Sequence, residues 1–481
     1  MKCKKMEGKM SFIRDLVWQN LNLSYRSSVS YQFARYALAL KYDLLPPEVI
    51  QQAKRCVLDG LGCAIGGYIA PGRPICESVV EELGGLAEAT IFCSGFRTSA
   101  INATLVNAFL LRFLDYNDCG GGNHNSEALP ALLAVSEREK RCGQDFLTAL
   151  VVSYEIGSRV IDSVPGGPTG WGEKGWTADS RGGLNMPPAI GLLMGLSEDQ
   201  IANAIGICAS RSYPLGVLDS NKEENTMSKN LRFGFVTCDA ILACMLAKKG
   251  FTGPIRVVEG DSGLRQVLLK GDMDLDSMVD FSGWHILRTR FKRLCANRTT
   301  HGHVYATLAI VKEHDLKPQD IASVKIKAGL KESRHTTALS KKYPRNAETA
   351  DHSAFYANAI AIKERHFGPE SAEPEKFDDP VVLDLIEKIT VEYDPSLPER
   401  SGQGISEITT RDGRKLVKHV VTPHGFDDDP LSDKELEEKF AEMATKYMSH
   451  KQIQKIFSTV WNLEKLSSMG DLASLMVFQS K

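Results

Sequence analysis

PPEVIQQAKRCVLDGLGCAIGG, residues 46–67, decides the fold class. Val49, Ile50, Ala53, Cys56, Val57 and Leu61 recur at intervals of three and four, which lays one apolar stripe along a helix. Pro46-Pro47 supplies its start, because the N–H that proline lacks has no partner in a first turn anyway. Gly60, Gly62, Gly66 and Gly67 then predict either close helix packing or the end of the helix.

The same texture extends outward. Ser197-Glu198-Asp199-Gln200 is a capping box ahead of Ile201, Ala204, Ile205 and Cys208. Asp239 to Lys249 is a helix stopped by Gly250, with Lys248 and Lys249 at the end where the helix dipole favours cations. From residue 288 the pattern changes. Ser323-Val324-Lys325-Ile326-Lys327 and Ile389-Thr390-Val391-Glu392-Tyr393 alternate as half-buried strands do. Ile405 to Thr410 and Lys415 to Val421 flank Arg411-Asp412-Gly413-Arg414, a hairpin signal. Ser432-Asp433-Lys434-Glu435 is a second capping box, where helices resume. The expectation is a mainly α protein. A large all-helical domain is built from the N- and C-terminal segments, 12–287 and 429–470, with an α+β lid domain, 288–428, inserted between them.

Composition fits this. The chain has 481 residues, 43% apolar and 25% charged, so it is neither disordered nor collagen-like. Lysine and arginine number 58 against 60 acidic residues, a net charge of −2, which argues against nucleic acid or an anionic membrane as partner. A local basic pocket for one small anion remains open. Met1-Lys2-Cys3-Lys4-Lys5-Met6 is basic but no apolar stretch follows it, so no secretory signal is expected. Apolar runs such as Ala240 to Ala247 fall short of the ~18 residues that span a bilayer. Eleven cysteines, an odd number with no Cys-x-x-Cys, read as reduced thiols of a cytoplasmic protein. The single tight histidine pair is His301-Gly302-His303, so no metal site is expected. Phosphate-loop, dinucleotide-binding and nucleophile-elbow motifs are missing from the sequence.

Four polar clusters could carry chemistry. In Asp115-Tyr116-Asn117-Asp118-Cys119-Gly120-Gly121-Gly122-Asn123-His124, carboxylates, glycines and a histidine follow an apolar helix. His124 is a candidate acid or base near neutral pH; the alternative is a helix end with a solvated, glycine-rich turn. In Met227-Ser228-Lys229-Asn230, a lysine precedes a strongly helical stretch, where it opposes the dipole. It either binds a carboxylate or is an exposed loop lysine. Arg288 to Arg298 carries a run of cations, a source of bidentate contacts to a polycarboxylate or simply a solvated run. Glu348-Thr349-Ala350-Asp351-His352-Ser353 crowds polar groups ahead of an apolar helix, where Asp351 or Ser353 would cap.

Taken together with Ala53 to Gly62, Lys174-Gly175-Trp176, Phe291-Lys292-Arg293 and Pro430-Leu431-Ser432-Asp433, these clusters resemble the MmgE/PrpD family, from Tyr36 to Leu463. That family includes 2-methylcitrate dehydratases and cis-aconitate decarboxylases. The resemblance implies a helical domain, a lid, an active site in the cleft between them, a homodimer, and no metal or organic cofactor. It places the catalytic pocket on Asp115, His124, Lys229, Lys292 and Tyr356, with Arg293, Asp351, His352, Asn297 and Thr177 toward the substrate. Asp351 and His352 match a motif more typical of the dehydratase branch. The chain departs from the pattern at Cys119-Gly120-Gly121-Gly122, at Thr177, where decarboxylases usually carry histidine and dehydratases often aspartate, and at Asn297, where many members have histidine. These changes enlarge the pocket and remove titratable groups.

The leading expectation is a cofactor-independent hydro-lyase on a small hydroxy-polycarboxylate, most like 2-methylcitrate dehydratase. Lys229, Lys292 and Arg293 would stabilise the charge that builds when a proton leaves beside a carboxylate. His124 or Asp115 would move the proton and Tyr356 would serve the leaving hydroxyl. The alternatives are a cis-aconitate-type decarboxylase and, in another class, a catalytically altered member that binds a metabolite or partner.

Overall fold

The computed structural model describes residues 19–120, 123–398 and 402–478, together with Arg14 and Val17. The helix expected from residue 46 runs Pro47–Gly66, with proline in its first turn; Val49, Ala53, Cys56, Val57 and Leu61 of the apolar stripe are buried and Ile50 is partly buried. Its glycines are seats for neighbouring elements. A Cβ on Gly62 would lie 3.3 Å from the Phe440 Cα, and one on Gly66 would lie 2.9 Å from the Met443 sulfur. Helix Asp433–Ala444 therefore lies directly on Pro47–Gly66. Buried Lys439 completes the contact with an ion pair to Asp59, 380 residues away in the chain.

Around this pair pack Ala100–Arg112, Leu129–Arg138, Gly143–Asp162, Gly182–Met194, Glu198–Ala209 and Arg232–Lys248. The expected capping boxes at Ser197 and Ser432 are both formed. The helix expected from Asp239 starts earlier, at Arg232, after a 3-10 turn Met227–Leu231. Together the two stretches give one segment, Met227–Lys248, long and apolar enough to cross a membrane, with a mean hydropathy of 1.4 over its best window. That differs from the sequence expectation, which counted uninterrupted apolar runs only. Most of this helix is covered by other helices, and its first turns carry buried Lys229 and Arg232.

The strands expected beyond residue 288 form one four-stranded sheet. Its order is Ile389–Tyr393, Ile321–Ala328, Gly404–Thr410, Lys415–Val420. Ile389–Tyr393 runs parallel to Ile321–Ala328, with Val324 opposite Ile389, and the other pairings are antiparallel. Helices His301–Glu313 and Ala354–Glu364 cover its apolar face. Helix and sheet approach closely because both sides are bare: a Cβ on Gly302 would fall 2.3 Å from the Gly402 carbonyl oxygen.

The protein is thus mainly α, but the part expected to be all-helical also holds two-residue ladders. Ala89–Thr90 pairs with Arg97–Thr98, and Cys119–Gly120 pairs with Thr289–Arg290. Short extended pieces of this kind carry too little alternation to read from sequence. One apolar core draws on helices from both ends of the chain. A second gathers side chains around the sheet and joins the first through Phe109, Phe113, Leu114, Tyr116 and Met443. The ten described cysteines are free thiols.

Candidate functional site

Helix Ala100–Arg112 ends at a tight bend in which Asp115 takes a left-handed backbone, φ +45°. The bend turns its carboxylate inward. Arg112 Nη1 donates to Asp115 Oδ1 at 2.6 Å. Lys292 arrives from the strand on the far side of the two-residue ladder and donates twice, to Asp115 Oδ1 at 2.7 Å and to its carbonyl at 2.5 Å. Burial alone would raise the Asp115 carboxyl, but Arg112, Lys292 and Lys229 hold it well below the usual carboxylate range. Its Oδ2 has no hydrogen-bond partner among the described residues.

A second lysine faces the same place. Lys229 Nζ donates to Asp351 Oδ2 at 2.8 Å and Oδ1 at 3.0 Å, and lies 3.3 Å from His352 Nδ1. His352 joins the two halves. Its Nδ1 also contacts Asp351, and stands 3.7 Å from Asp115 Oδ2. Its Nε2 meets Asn297 Nδ2 at 2.8 Å and Asp219 Oδ1 at 3.2 Å.

His124 closes the group. Its Nδ1 lies 2.6 Å from the Asp118 carbonyl, which can only accept, so Nδ1 carries the proton and Nε2 is a bare lone pair. That Nε2 is 3.8 Å from Asp115 Oδ1. Burial first, then Arg112 and Lys292, push its pKa well below the ordinary imidazole value, so the ring is neutral at neutral pH.

The fold thus brings together Asp115, His124, Lys229, Lys292, Asp351, His352 and Asn297. Asp115 and Lys229 are fully buried, so Lys229 is not an exposed loop lysine. Ser353, not Asp351, caps the next helix: its hydroxyl accepts from the Tyr356 N–H at 3.0 Å. Thr177 is buried with its hydroxyl unpartnered and its N–H bonded to the Pro214 carbonyl. Gly121 and Gly122 lie outside the described residues. Gly120 pairs with Thr289 in the ladder.

Two expected residues stand elsewhere. Tyr356 packs between Phe367 and Phe377 and donates to the Ser371 carbonyl at 2.8 Å, inside the sheet-side core. Arg293 turns away from Asp115 and binds Tyr116 Oη at 2.8 Å and Glu442. The cations of 288–298 do not converge on one anion either. Arg288 pairs with Asp162 and Arg290 with Asp427.

A ring of buried charge around the site was invisible in the sequence. Arg112 also holds Glu127 at 2.7 Å, Arg181 holds Asp179 at 3.2 Å, and Arg232 ties Asp179 to Asp219. Arg181 also donates to the His124 carbonyl at 2.8 Å, which holds the His124 backbone from behind. Asp179 and Arg181 share the short 3-10 turn Ala178–Arg181 and the others come from separate segments, so only the fold reveals the ring. Asp115, Asp351 and His352 come close enough to share a cation, as do Asp219, His335 and His352. Lys229, Lys292 and Arg112 already neutralise the first set.

Two domains of known type match the chain. The MmgE/PrpD N-terminal domain covers residues 31–276 and the MmgE/PrpD C-terminal domain residues 295–463. The protein belongs to the MmgE/PrpD family. Among curated relatives, human cis-aconitate decarboxylase is 26% identical over 471 residues, covering 93% of this chain and 94% of the relative. The cis-aconitate decarboxylase of Aspergillus terreus is 22% identical over 495 residues, with 95% and 98% covered. A cis-aconitate decarboxylase-like protein of Aspergillus oryzae is 22% identical over 475 residues, with 93% and 97% covered.

Proposed function

We propose that the protein is a cofactor-independent lyase acting on a small polycarboxylate, with decarboxylation of a cis-aconitate-type acid as the favoured reaction. This reverses the order of the sequence-level expectation, which put dehydration first. The relatives that match along almost their whole length, cis-aconitate decarboxylases and a cis-aconitate decarboxylase-like protein, support the decarboxylase.

The observation that carries the reading is the pair of buried lysines, Lys229 and Lys292, drawn from segments far apart onto one set of acids and imidazoles. An ammonium has three donors. Lys292 spends two on Asp115, so a third can take a substrate carboxylate without breaking the bend. In decarboxylation, the bond to the departing carboxylate breaks and its electron pair moves into the adjoining unsaturated system. The lysines hold the carboxylates that remain and stabilise that charge. A proton then quenches the carbanion. His124 Nε2 is the nearest bare base. An incoming polyanion raises its proton affinity, so binding loads the proton that the product receives. The same Nε2 could instead remove a proton in a dehydration.

The segment 288–428 would act as the lid, delivering Lys292, Asn297 and His352 to groups on the helices. Ile75, Val79 and Leu83 form an exposed apolar stripe on helix Arg73–Leu83 and support a homodimer. Buried free thiols support a reducing, cytoplasmic setting.

The test is incubation of the pure protein with cis-aconitate, 2-methylcitrate and citrate, followed by NMR of the products. Loss of CO2 from cis-aconitate is expected. Water loss from 2-methylcitrate would favour the dehydratase. Tight binding with no turnover of any acid would leave a metabolite-binding family member.

A further inference from the structure

Among the described residues the buried lysines are Lys54, Lys229, Lys292, Lys341 and Lys439. All but one of them meet a carboxylate: Lys54 pairs with Glu464, Lys229 with Asp351, Lys292 with Asp115 and Lys439 with Asp59. Lys341 is the exception. It is fully buried, and its hydrogen bond among the described residues goes to the His335 carbonyl at 3.0 Å. That carbonyl lies in the last turn of helix Leu330–Thr336, so the contact caps a helix end and uses one of three N–H donors. The charge itself stays unpaired, and a buried charge without a counter-ion is strongly unfavourable.

The surroundings of this ammonium are those of the candidate site. Lys341 lies on the short helix Leu339–Lys342. The adjacent Ser340 hydroxyl donates to the Lys222 carbonyl at 2.8 Å, and His335 Nδ1 contacts Asn221 Oδ1, which holds this segment against the loop after Asp219. His335 also meets His352 edge-on, with ring centroids 5.1 Å apart, and its Nε2 is 3.4 Å from Asn297 Nδ2. Burial pushes the Lys341 pKa down to about 8, and the charges that act on it are Asp219, Lys229 and Asp351. Both acids are already engaged, Asp219 by Arg232 at 3.0 Å and Asp351 by Lys229 at 2.8 Å.

On the reading of this site as one for a small polycarboxylate, we propose that Lys341 seats a substrate carboxylate beyond those held by Lys229 and Lys292, and so selects acids with three carboxylates over acids with two. A bound carboxylate supplies the missing counter-ion and can accept the two remaining N–H donors. An acid that lacks the group leaves the ammonium buried and unpaired, which is how a polar site rejects an analogue.

The test is calorimetric binding to the full-length protein near neutral pH. Tricarballylate carries three carboxylates and no double bond to react; glutarate and methylsuccinate each lack one of the three. Wild type should bind tricarballylate at least ~30-fold more tightly than either dicarboxylate, the usual worth of a hydrogen bond to a charged group. Lys341→Met should lose that margin while dicarboxylate affinity changes less than about threefold, and KM for cis-aconitate should rise about tenfold with a smaller change in kcat. Without ligand, Lys341→Met should unfold at or above the wild-type urea midpoint, because methionine keeps the stem and removes an unpaired charge. Lys341→Gln keeps a donor for the His335 carbonyl but no charge; it should bind as Lys341→Met does, and it decides the matter if Lys341→Met fails to fold. No margin in wild type, or tricarballylate affinity within about threefold of wild type in the variant that folds, would overturn the role of Lys341 and leave the polycarboxylate reading intact. A wild type that binds none of these acids and leaves cis-aconitate unchanged removes that reading, and the role of Lys341 with it.

Discussion

Replacing Lys292 with methionine keeps the length of the side chain and deletes its charge. The ammonium is buried and makes two bonds to one residue, Asp115 Oδ1 at 2.7 Å and the Asp115 carbonyl at 2.5 Å. Removing one partner of a buried ion pair costs ~3–5 kcal/mol, because the other charge stays desolvated. Arg112 still holds Asp115 at 2.6 Å, so the lower end, about 3 kcal/mol, is the expectation. The loss should depend on pH. The folded-state carboxyl is held well below its unfolded value, so its contribution is present above pH ~4 and disappears as pH falls through the folded value. With Lys292 gone the carboxyl rises toward normal. The gap between wild type and Lys292→Met in urea unfolding should therefore be widest above pH ~5 and shrink in acid. Turnover of the decarboxylation substrate should fall ~10²–10³-fold, the usual effect of deleting a fixed donor to developing charge. An Lys292→Met protein within about 1 kcal/mol of wild type that still turns over at more than a third of its rate would refute both the pairing and the role.

Tyr356→Phe should lose one buried hydrogen bond to Ser371, about 1 kcal/mol by urea unfolding, and change turnover less than a few-fold; a hundredfold fall would place its hydroxyl at the chemistry. Gly302→Ala should destabilise by at least ~1–3 kcal/mol or prevent folding, since the added methyl meets the Gly402 carbonyl; a normal denaturant midpoint would show that helix and sheet are not in direct contact there. Burial lowers the pKa of His303 to about 4, so below pH ~6.5 the unfolded chain takes a proton that the folded one refuses. Wild type should lose ~1.4 kcal/mol per pH unit between pH ~6 and ~4 relative to His303→Asn; parallel pH curves would contradict this.

Elements with a strong local pattern were legible in the sequence. The apolar stripe of Pro47–Gly66, the two capping boxes and the Asp-Gly hairpin depend on neighbours within a few residues, and each stands where expected. The site was legible only in part. Asp115 and Lys292 stood as candidates because the polar clusters that hold them, taken together, resemble the family's pattern. Asp179 and Arg181 did not, because charged residues in a short 3-10 turn give no local sign of being buried. Tyr356 shows the converse: it begins a helix beside His352, yet the helix turns its ring toward Phe367 and Phe377. The cations between 288 and 298 looked like one patch in the sequence, but the backbone there passes from a 3-10 turn through a two-residue strand and a bend to another 3-10 turn, which sends the side chains to different partners.

The ladder of Cys119–Gly120 with Thr289–Arg290 works as a ruler. Asp115 lies four residues before one of its strands and Lys292 two after the other, so main-chain hydrogen bonds set the distance between acid and cation. Such bonds are indifferent to side-chain identity. Substitutions elsewhere around the site would therefore leave the Asp115–Lys292 spacing unchanged. Inserting or deleting one residue on either strand has the opposite effect: it slips the pairing by ~3.3 Å and separates the two groups without altering either.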